Sequence, residues 1–511
     1  MRGPGEETFL RELAVRAATL WERMEGPFVP EPSAEGRALA LERLGRWREK
    51  AAGGRQDLFE RRLAGVGVSP ERAQGALGCV RLEGPLPAWT QTFARALDAA
   101  RRPEGDGARR WGLPFEEVLA PFCRAALSQL EPEVRAPFTH EAFECLVGDL
   151  LGELSYTSAP TLQEAFLAWR AGQGDVEPSS RKLYDAFTAR LLAGGLEGFF
   201  SEYPVLARLL SRLVEQWVLN ASAFARALRE DRPEMERLFA EHAPVGRVVA
   251  LKLSLSDRHH GGRCVARVDF EGGLRLFYKP RGLGIEKAWY ELLEQLNDWG
   301  ADLRVLRVLD RGDRGWAEPA VPAPCADAGE ARRFYVRSGM LLAALYALEA
   351  SDCFYENLIA SGAYPVLIDM EALMHPVPGD GPAPALEPAH DLLLHSVLRA
   401  GLLPLWDVGP GGECVDISGL GATAGQVTSY LKRRWWHVNT DAMALEHERI
   451  RVETEDHLPR LGDRTLRVSD YVPELVEGFQ GMYRLLASHR KELLAPEGPV
   501  RALGAQPLRV I

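Results

Sequence analysis

Hydrophobic periodicity changes character once along this chain, near Pro244, and that change limits the fold more than any other feature. Before residue 240 apolar residues recur at the spacing of an amphipathic helix: Leu10, Leu13, Ala14, Ala17 and Leu20; then Phe187, Leu191 and Leu192; then Leu206, Leu209, Leu210 and Leu213. Breaks fall at 102–107 and 171–175, where Gly, Pro and Asp gather. Thr139 and Ser179 are polar residues placed to start helices. Beyond Pro244 the period becomes two. Val249, Leu251, Leu253 and Leu255 share one face; Cys264, Ala266, Val268 and Phe270 alternate; and after the turn Glu271-Gly272-Gly273 come Leu274, Leu276 and Tyr278. The pattern predicts a three-stranded antiparallel meander. Helices follow over about 285–299 and 333–350, then a strand over 364–368, further helices near 391–399 and 475–487, and a strand-like end, LRVI. The Pro/Gly-rich stretch 375–388 reads as a loop, and His375 as structural. The fold class is α+β, with a helical region over 1–240 and a mixed core divided as 241–332 and 333–511.

A chain of 511 residues exceeds one compact core, so two to four domains or sub-domains are expected. Net charge is −11, which argues against a general nucleic-acid binder. The seven cysteines are scattered and form no C-x-x-C pair, which suits a reducing compartment and gives no zinc signature. The N-terminus carries acids early and lacks the apolar core of a signal peptide. No apolar run reaches the roughly 18–20 residues of a membrane helix. A soluble, cytoplasmic protein is expected.

The chemistry gathers in the second half. A polar loop, Ser256-Asp257-Arg258-His259-His260-Gly261-Gly262-Arg263, joins the first two predicted strands, and its glycines allow backbone to approach a ligand closely. The third strand carries Lys279. The long helix delivers Asp352 into a loop that ends at Asn357, and the strand after it ends at Asp369, with Glu371 two residues on. Phosphoryl transfer asks for such parts: a cation on the phosphates, oxygen ligands for magnesium, and a carboxylate at the incoming hydroxyl. Lys279 suits the first role. Asn357 and Asp369 offer hard oxygen ligands, and Asp352 offers the carboxylate. Each residue alone has a plainer reading: a strand lysine that snorkels, a strand-end acid that caps a turn, Gly261-Gly262 as a hairpin turn. The ordered set is far more specific than its members. Arg281 and Arg263 either contact phosphates or lie on the surface.

Taken together, SDRHHGGRCV, LFYKPRGLGIEKAWYELLEQLN, SDCFYENLIASGAYPVLIDMEALMHP and DLLLHSVLRAGLLP resemble the dehydratase domain of class II lanthionine synthetases, the LanM enzymes. FECLVGDLLGELSYTSAPTLQEAF and YPVLARLLSRLVEQWV resemble the same family, so the likeness runs from about residue 60 to the end. It implies a lipid-kinase-like, two-lobed core, with an antiparallel-sheet N-lobe over 241–332 and a mostly helical C-lobe over 333–511, capped by the helical region. It also implies ATP and Mg²⁺ as cofactors and a ribosomally made precursor peptide as partner, bound through its leader. Ser and Thr side chains would be phosphorylated and phosphate then eliminated, giving dehydroalanine or dehydrobutyrine.

By motif position the likeness makes Lys279 the ATP-phosphate lysine, Asp352 the catalytic-loop acid, Asn357 a metal ligand, and Asp369 with Glu371 the acidic pair. Asp257 and His259 match a D-x-H pair tied to elimination, and Arg509 matches the first Arg of a terminal R-x-x-x-R-x-T strand, also tied to elimination. Two departures stand out. The loop usually written D-x-H-x-E-N has Phe354 in place of its His, and Phe neither bonds a phosphate nor relays a proton. The sequence stops two residues after Arg509, so it is expected to be a fragment ending before a zinc-dependent cyclase that acts in cis or in trans. The competing readings are a peptide or small-molecule kinase without elimination, and a degenerate peptide-binding scaffold. The joint presence of Lys279, Asp352, Asn357, Asp369 and Glu371 speaks against the scaffold.

Overall fold

The computed structural model describes residues 4–31, 33–102, 111–173, 177, 179–259, 261–374, 392–393, 395–409, 412–452 and 456–508. The sequence readings at Arg509, His260, His375 and the loop 375–388 lie outside the described residues, as does the end of the expected terminal strand. The chain divides into two compact units that alternate along the sequence. Met1–Ala136, Leu146–Arg226 and Trp435–Leu445 form one; Pro137–Cys145, Ala227–Arg434 and Glu446–Ile511 form the other. Both helix and antiparallel sheet are present, so the α+β class holds.

The first unit is mainly helical; it also holds a short antiparallel pair, Phe28–Pro30 with Val80–Leu82, and the tips of the strands Val427–Trp436 and Ala444–Arg451. Its helices include α1 (His140–Arg170), α2 (Lys182–Arg190) and α3 (Pro204–Glu230); the start of α1 and the end of α3 belong to the second unit. Thr139 starts α1 as expected, its Oγ1 accepting from the Ala142 N–H at 3.3 Å. Ser179 does not start α2. That helix begins at Lys182, and the buried Asp441 caps it by accepting from the Leu183 and Tyr184 N–H groups, each at 2.8 Å. Phe115, Phe166, Tyr184 and Phe187 pack ring on ring in the core beside it.

The second unit holds a five-stranded, wholly antiparallel sheet. Its strands are β1 (Val248–Lys252), β2 (Ala266–Phe270) and β3 (Arg275–Lys279), then, after helix α4 (Gly284–Asp298), β4 (Val308–Asp310) and β5 (Gly315–Ala317). They are ordered β1-β2-β3-β5-β4. The first three strands are the predicted meander, with Ala266, Val268, Phe270, Leu276 and Tyr278 buried. The face assigned to Val249 is wrong. The register slips between Val248 and Ala250, so Val248 is buried and Val249 is 37% exposed. Next to β5, the fully buried Asp231 accepts from the Trp316 indole at 2.9 Å and from Arg314 at 2.8 and 2.9 Å.

Helix α5 (Ala328–Ala347) starts at Asp327, whose Oδ1 accepts from the Glu330 N–H at 2.8 Å. It crosses α6 (Val472–Ser488) at backbone contact. A Cβ at Gly339 would land on the Leu475 carbonyl oxygen, and one at Gly478 on the Val336 carbonyl oxygen. Tyr335 stacks on Tyr471 beside the crossing, ring centroids 4.5 Å apart. After α5 the chain passes through positive φ at Glu349 (49°) and Asp352 (65°) and enters the hairpin of β6 (Leu358–Ser361) and β7 (Tyr364–Leu367). In the 391–399 stretch the described residues carry a 3₁₀ turn, Val397–Ala400.

The crossing predicts the effect of one methyl group. Gly478→Ala is expected to cost about 1–3 kcal/mol through overpacking, read as a lower urea midpoint in circular dichroism. An unchanged midpoint would contradict backbone contact between α5 and α6.

Candidate active site

Lys279 is the last residue of β3, paired across the sheet with Gly315, and it is buried despite its charge. Its Nζ donates to the Ile368 carbonyl at 2.7 Å and meets Glu286 Oε1 at 3.3 Å. Glu286 stands in the first turn of α4, buried, with side-chain exposure of 3%. Arg281, two residues past Lys279, sets its Nη2 2.6 Å from the same Glu286 oxygen and 3.3 Å from Asp369 Oδ1, while its Nε pairs with Glu371. Glu286 Oε2 is buried without a hydrogen-bond partner. Burial alone would raise the Glu286 carboxyl; the Lys279 charge and then the Arg281 charge outweigh it and hold the group below the usual carboxylate range. The pairing therefore stabilises the fold at neutral pH, and that share is lost as pH falls through the lowered value.

The loop from α5 closes onto the same place. Asn357 Nδ2 donates to the Asp352 carbonyl at 2.8 Å, and the Asn357 carbonyl accepts from the Ile368 N–H at 3.0 Å. Tyr290 of α4 donates its hydroxyl to the Leu367 carbonyl at 3.0 Å. Residues 367–369 are thus fastened to the sheet, to α4 and to the loop at once. Asp369 Oδ1 also accepts from the Glu371 N–H at 3.2 Å, which turns the acidic pair back on itself. Cys353, in the same loop, is buried. Burial first, then the charges of Asp352 and Asp369, push its thiol up to about 12. The ring of Phe354 lies against Gly401, where a Cβ would come within 2.8 Å of it.

The Gly-containing loop folds into a tight hairpin. His259 and Arg263 exchange backbone hydrogen bonds at 2.9 and 2.8 Å, and Gly261 and Gly262 carry φ of 84° and 83°. Asp257 is exposed, and the Glu356 carboxyl is raised by burial and then by the Asp257 charge. Sequence reasoning missed Glu286. The signal was present: an acid in the first turn of the helix that follows the lysine strand, the arrangement by which kinases pair their phosphate lysine. Arg281, left between phosphate and surface, is 25% exposed and sits among the three acids.

Asn357, Asp369 and Glu371 present an amide and two carboxylates, donors that fit a hard, oxygen-seeking cation such as Mg²⁺. Among the described residues no group of three or more His, Cys, Asp or Glu is placed to hold a metal. A magnesium ion here would complete its shell with water and phosphate oxygens, as that ion usually does.

Cys353 supplies a check on this packing. In the native protein at pH 8 iodoacetamide is expected to modify the exposed Cys414 and to spare Cys353, which reacts only after denaturation. Peptide mapping reads the sites; alkylation of native Cys353 at the rate of Cys414 would contradict the enclosed loop.

Residues 203–511 match the family described as a domain of unknown function, DUF4135. Over 315 residues the chain is 22% identical to the Lacticin 481/lactococcin biosynthesis protein LcnDR2 of Lactococcus lactis subsp. lactis, a match covering 57% of this chain and 33% of that protein. The chain thus spans about a third of the length of that relative. No helix among the described residues is long and apolar enough to cross a membrane. The DUF4135 match takes in Lys279, the 352–357 loop and the Asp369–Glu371 pair, and it extends over more than half of the sequence. The chain belongs to the DUF4135 family and is a LanM-like protein.

Proposed function

We propose that this chain is the dehydratase part of a lanthipeptide synthetase, phosphorylating Ser and Thr of a precursor peptide with ATP and Mg²⁺ and then eliminating phosphate. The observation that carries the reading is the Lys279 Nζ contact to the Ile368 carbonyl, which sets the lysine beside Asp369 in a buried cluster with Glu286. A lysine buried on a sheet, paired to a helix acid and adjacent to strand-end carboxylates, is the arrangement phosphoryl transfer uses. The name of LcnDR2, a lantibiotic biosynthesis protein, supports a peptide as acceptor. On this reading the five-stranded sheet with α4 is the N-lobe of a lipid-kinase-like core, and α5, α6 and the β6–β7 hairpin belong to its C-lobe. The protein works in the cytoplasm, with a cyclase acting in cis or in trans.

The roles follow from position. Lys279 and Arg281 bind ATP phosphates, and the backbone at Gly261 and Gly262 covers them. Asn357, Asp369 and Glu371 would hold magnesium, whose charge would offset that on the transferring phosphoryl group. Asp352 accepts the proton of the Ser or Thr hydroxyl as its oxygen takes the γ-phosphoryl group and ADP leaves. In the elimination the Cα–H bond breaks and its proton passes to a base. The electron pair forms the Cα–Cβ double bond, and phosphate departs with the Cβ–O electrons. Asp257, His259 and Arg509 serve that second half. The substitution Phe354 favours a second reading, a kinase that stops at the phosphopeptide, because the ring on Gly401 offers no hydrogen bond to a phosphate.

Mass spectrometry after incubation with ATP, Mg²⁺ and the precursor peptide encoded beside the gene separates the readings. Loss of water is expected; a stable phosphoryl adduct would support the kinase, and unmodified but bound peptide the scaffold. Asp369→Ala is expected to abolish phosphorylation, and Asp257→Ala to accumulate phosphopeptide. Phosphorylation at the normal rate in Asp369→Ala would contradict the metal assignment.

A further inference from the structure

Three carboxylates and two cations meet within one cluster, and one of the cations holds all three acids. Arg281 reaches Glu286, Asp369 and Glu371 together, whereas Lys279 shares only Glu286 and leans more closely on a carbonyl. A planar guanidinium with five donors is suited to bridge several carboxylates; an ammonium is not. Lys279 and Arg281 carry two positive charges against three negative ones on Glu286, Asp369 and Glu371. The two acids proposed to hold metal therefore already have a cation.

We propose that Arg281 is a latch on the metal site: its guanidinium holds Asp369 and Glu371 in place of a metal ion and releases them when nucleotide phosphate draws it away. The inference rests on the reading of this cluster as an ATP–metal site. A divalent cation entering beside the guanidinium meets like charge at contact distance, so metal without nucleotide is disfavoured. A polyphosphate supplies a competing anion and tips the exchange. The state of Glu286 agrees with such an exchange. Its Oε1 serves Arg281 at 2.6 Å and Lys279 at only 3.3 Å, while Oε2 is buried and unpartnered. Departure of Arg281 leaves that carboxylate to Lys279 alone, tightening the lysine in its phosphate-binding position. The latch thus couples metal entry, nucleotide entry and lysine positioning through one side chain.

Manganese titrated into the protein, with free Mn²⁺ read by electron paramagnetic resonance, tests this without relying on turnover. Wild type, Arg281→Met and Arg281→Lys are compared with and without a non-hydrolysable ATP analogue. Without nucleotide, Arg281→Met is expected to bind Mn²⁺ at least tenfold more tightly than wild type, with Arg281→Lys between them. The analogue is expected to remove most of that difference by tightening Mn²⁺ binding to wild type. Adding Asp369→Asn is expected to abolish the gain, locating it at the proposed acids. Equal affinity in the three proteins without nucleotide, with the analogue still promoting Mn²⁺ binding to wild type, overturns the latch and leaves the site reading intact. Failure of the analogue to promote Mn²⁺ binding in any protein overturns the site reading itself. If circular dichroism shows that Arg281→Met does not fold, Arg281→Lys carries the same comparison, with a gain of several-fold expected and no gain overturning the latch.

Discussion

A buried carboxylate needs hydrogen-bond donors or positive charge beside it, and in the second unit Glu286 meets that requirement with two cations. Glu286 lies in the first turn of α4 with side-chain exposure of 3%. Its two partners come from the end of β3 and the residues just after it, and each partner then engages the end of β7 or the turn beyond it. One acid thereby ties a sheet, a helix and a hairpin together. Surface ion pairs are worth about 0–1 kcal/mol each, so the many exposed Arg–Glu pairs on this chain have no comparable organising effect. A buried charge cluster is also a poor source of net stability, since apolar residues of similar volume often do as well.

The 352–357 loop is placed by backbone rather than by charge. Helix α5 packs onto α6 through facing glycines and also lies against β7. The chain then turns through positive φ at Glu349 and Asp352. Asp tolerates that conformation at modest cost, and it lets Asp352 and the buried Cys353 follow each other without the helix continuing. Asn357 closes the loop from both ends, donating to the Asp352 carbonyl and accepting from Ile368.

The sequence already makes much of this visible. Alternation through Ala266–Phe270 and Leu274–Tyr278 locates two strands of the meander, because each has one buried face and the period of a strand is two. Lys279, Asp352, Asn357 and Asp369 stand out because they fall at the ends of readable elements. Val249 misleads, since a register slip reverses the faces on either side of it. The strands Val308–Asp310 and Gly315–Ala317 are too short to express any period. Asp441 caps a helix more than two hundred residues earlier in the chain, a partnership that no local pattern carries. Glu286 goes unread, and Arg281 is left between a phosphate contact and the surface; their shared contacts exist only once β3, α4 and β7 converge.

Calorimetric titration of ATP into the protein, with and without Mg²⁺, tests most directly whether these separated residues make one nucleotide site. Wild type is expected to bind ATP with magnesium, and Lys279→Met, still folded by circular dichroism, to lose that binding by at least tenfold. Equal, magnesium-dependent ATP binding by wild type and Lys279→Met would contradict a site built on Lys279.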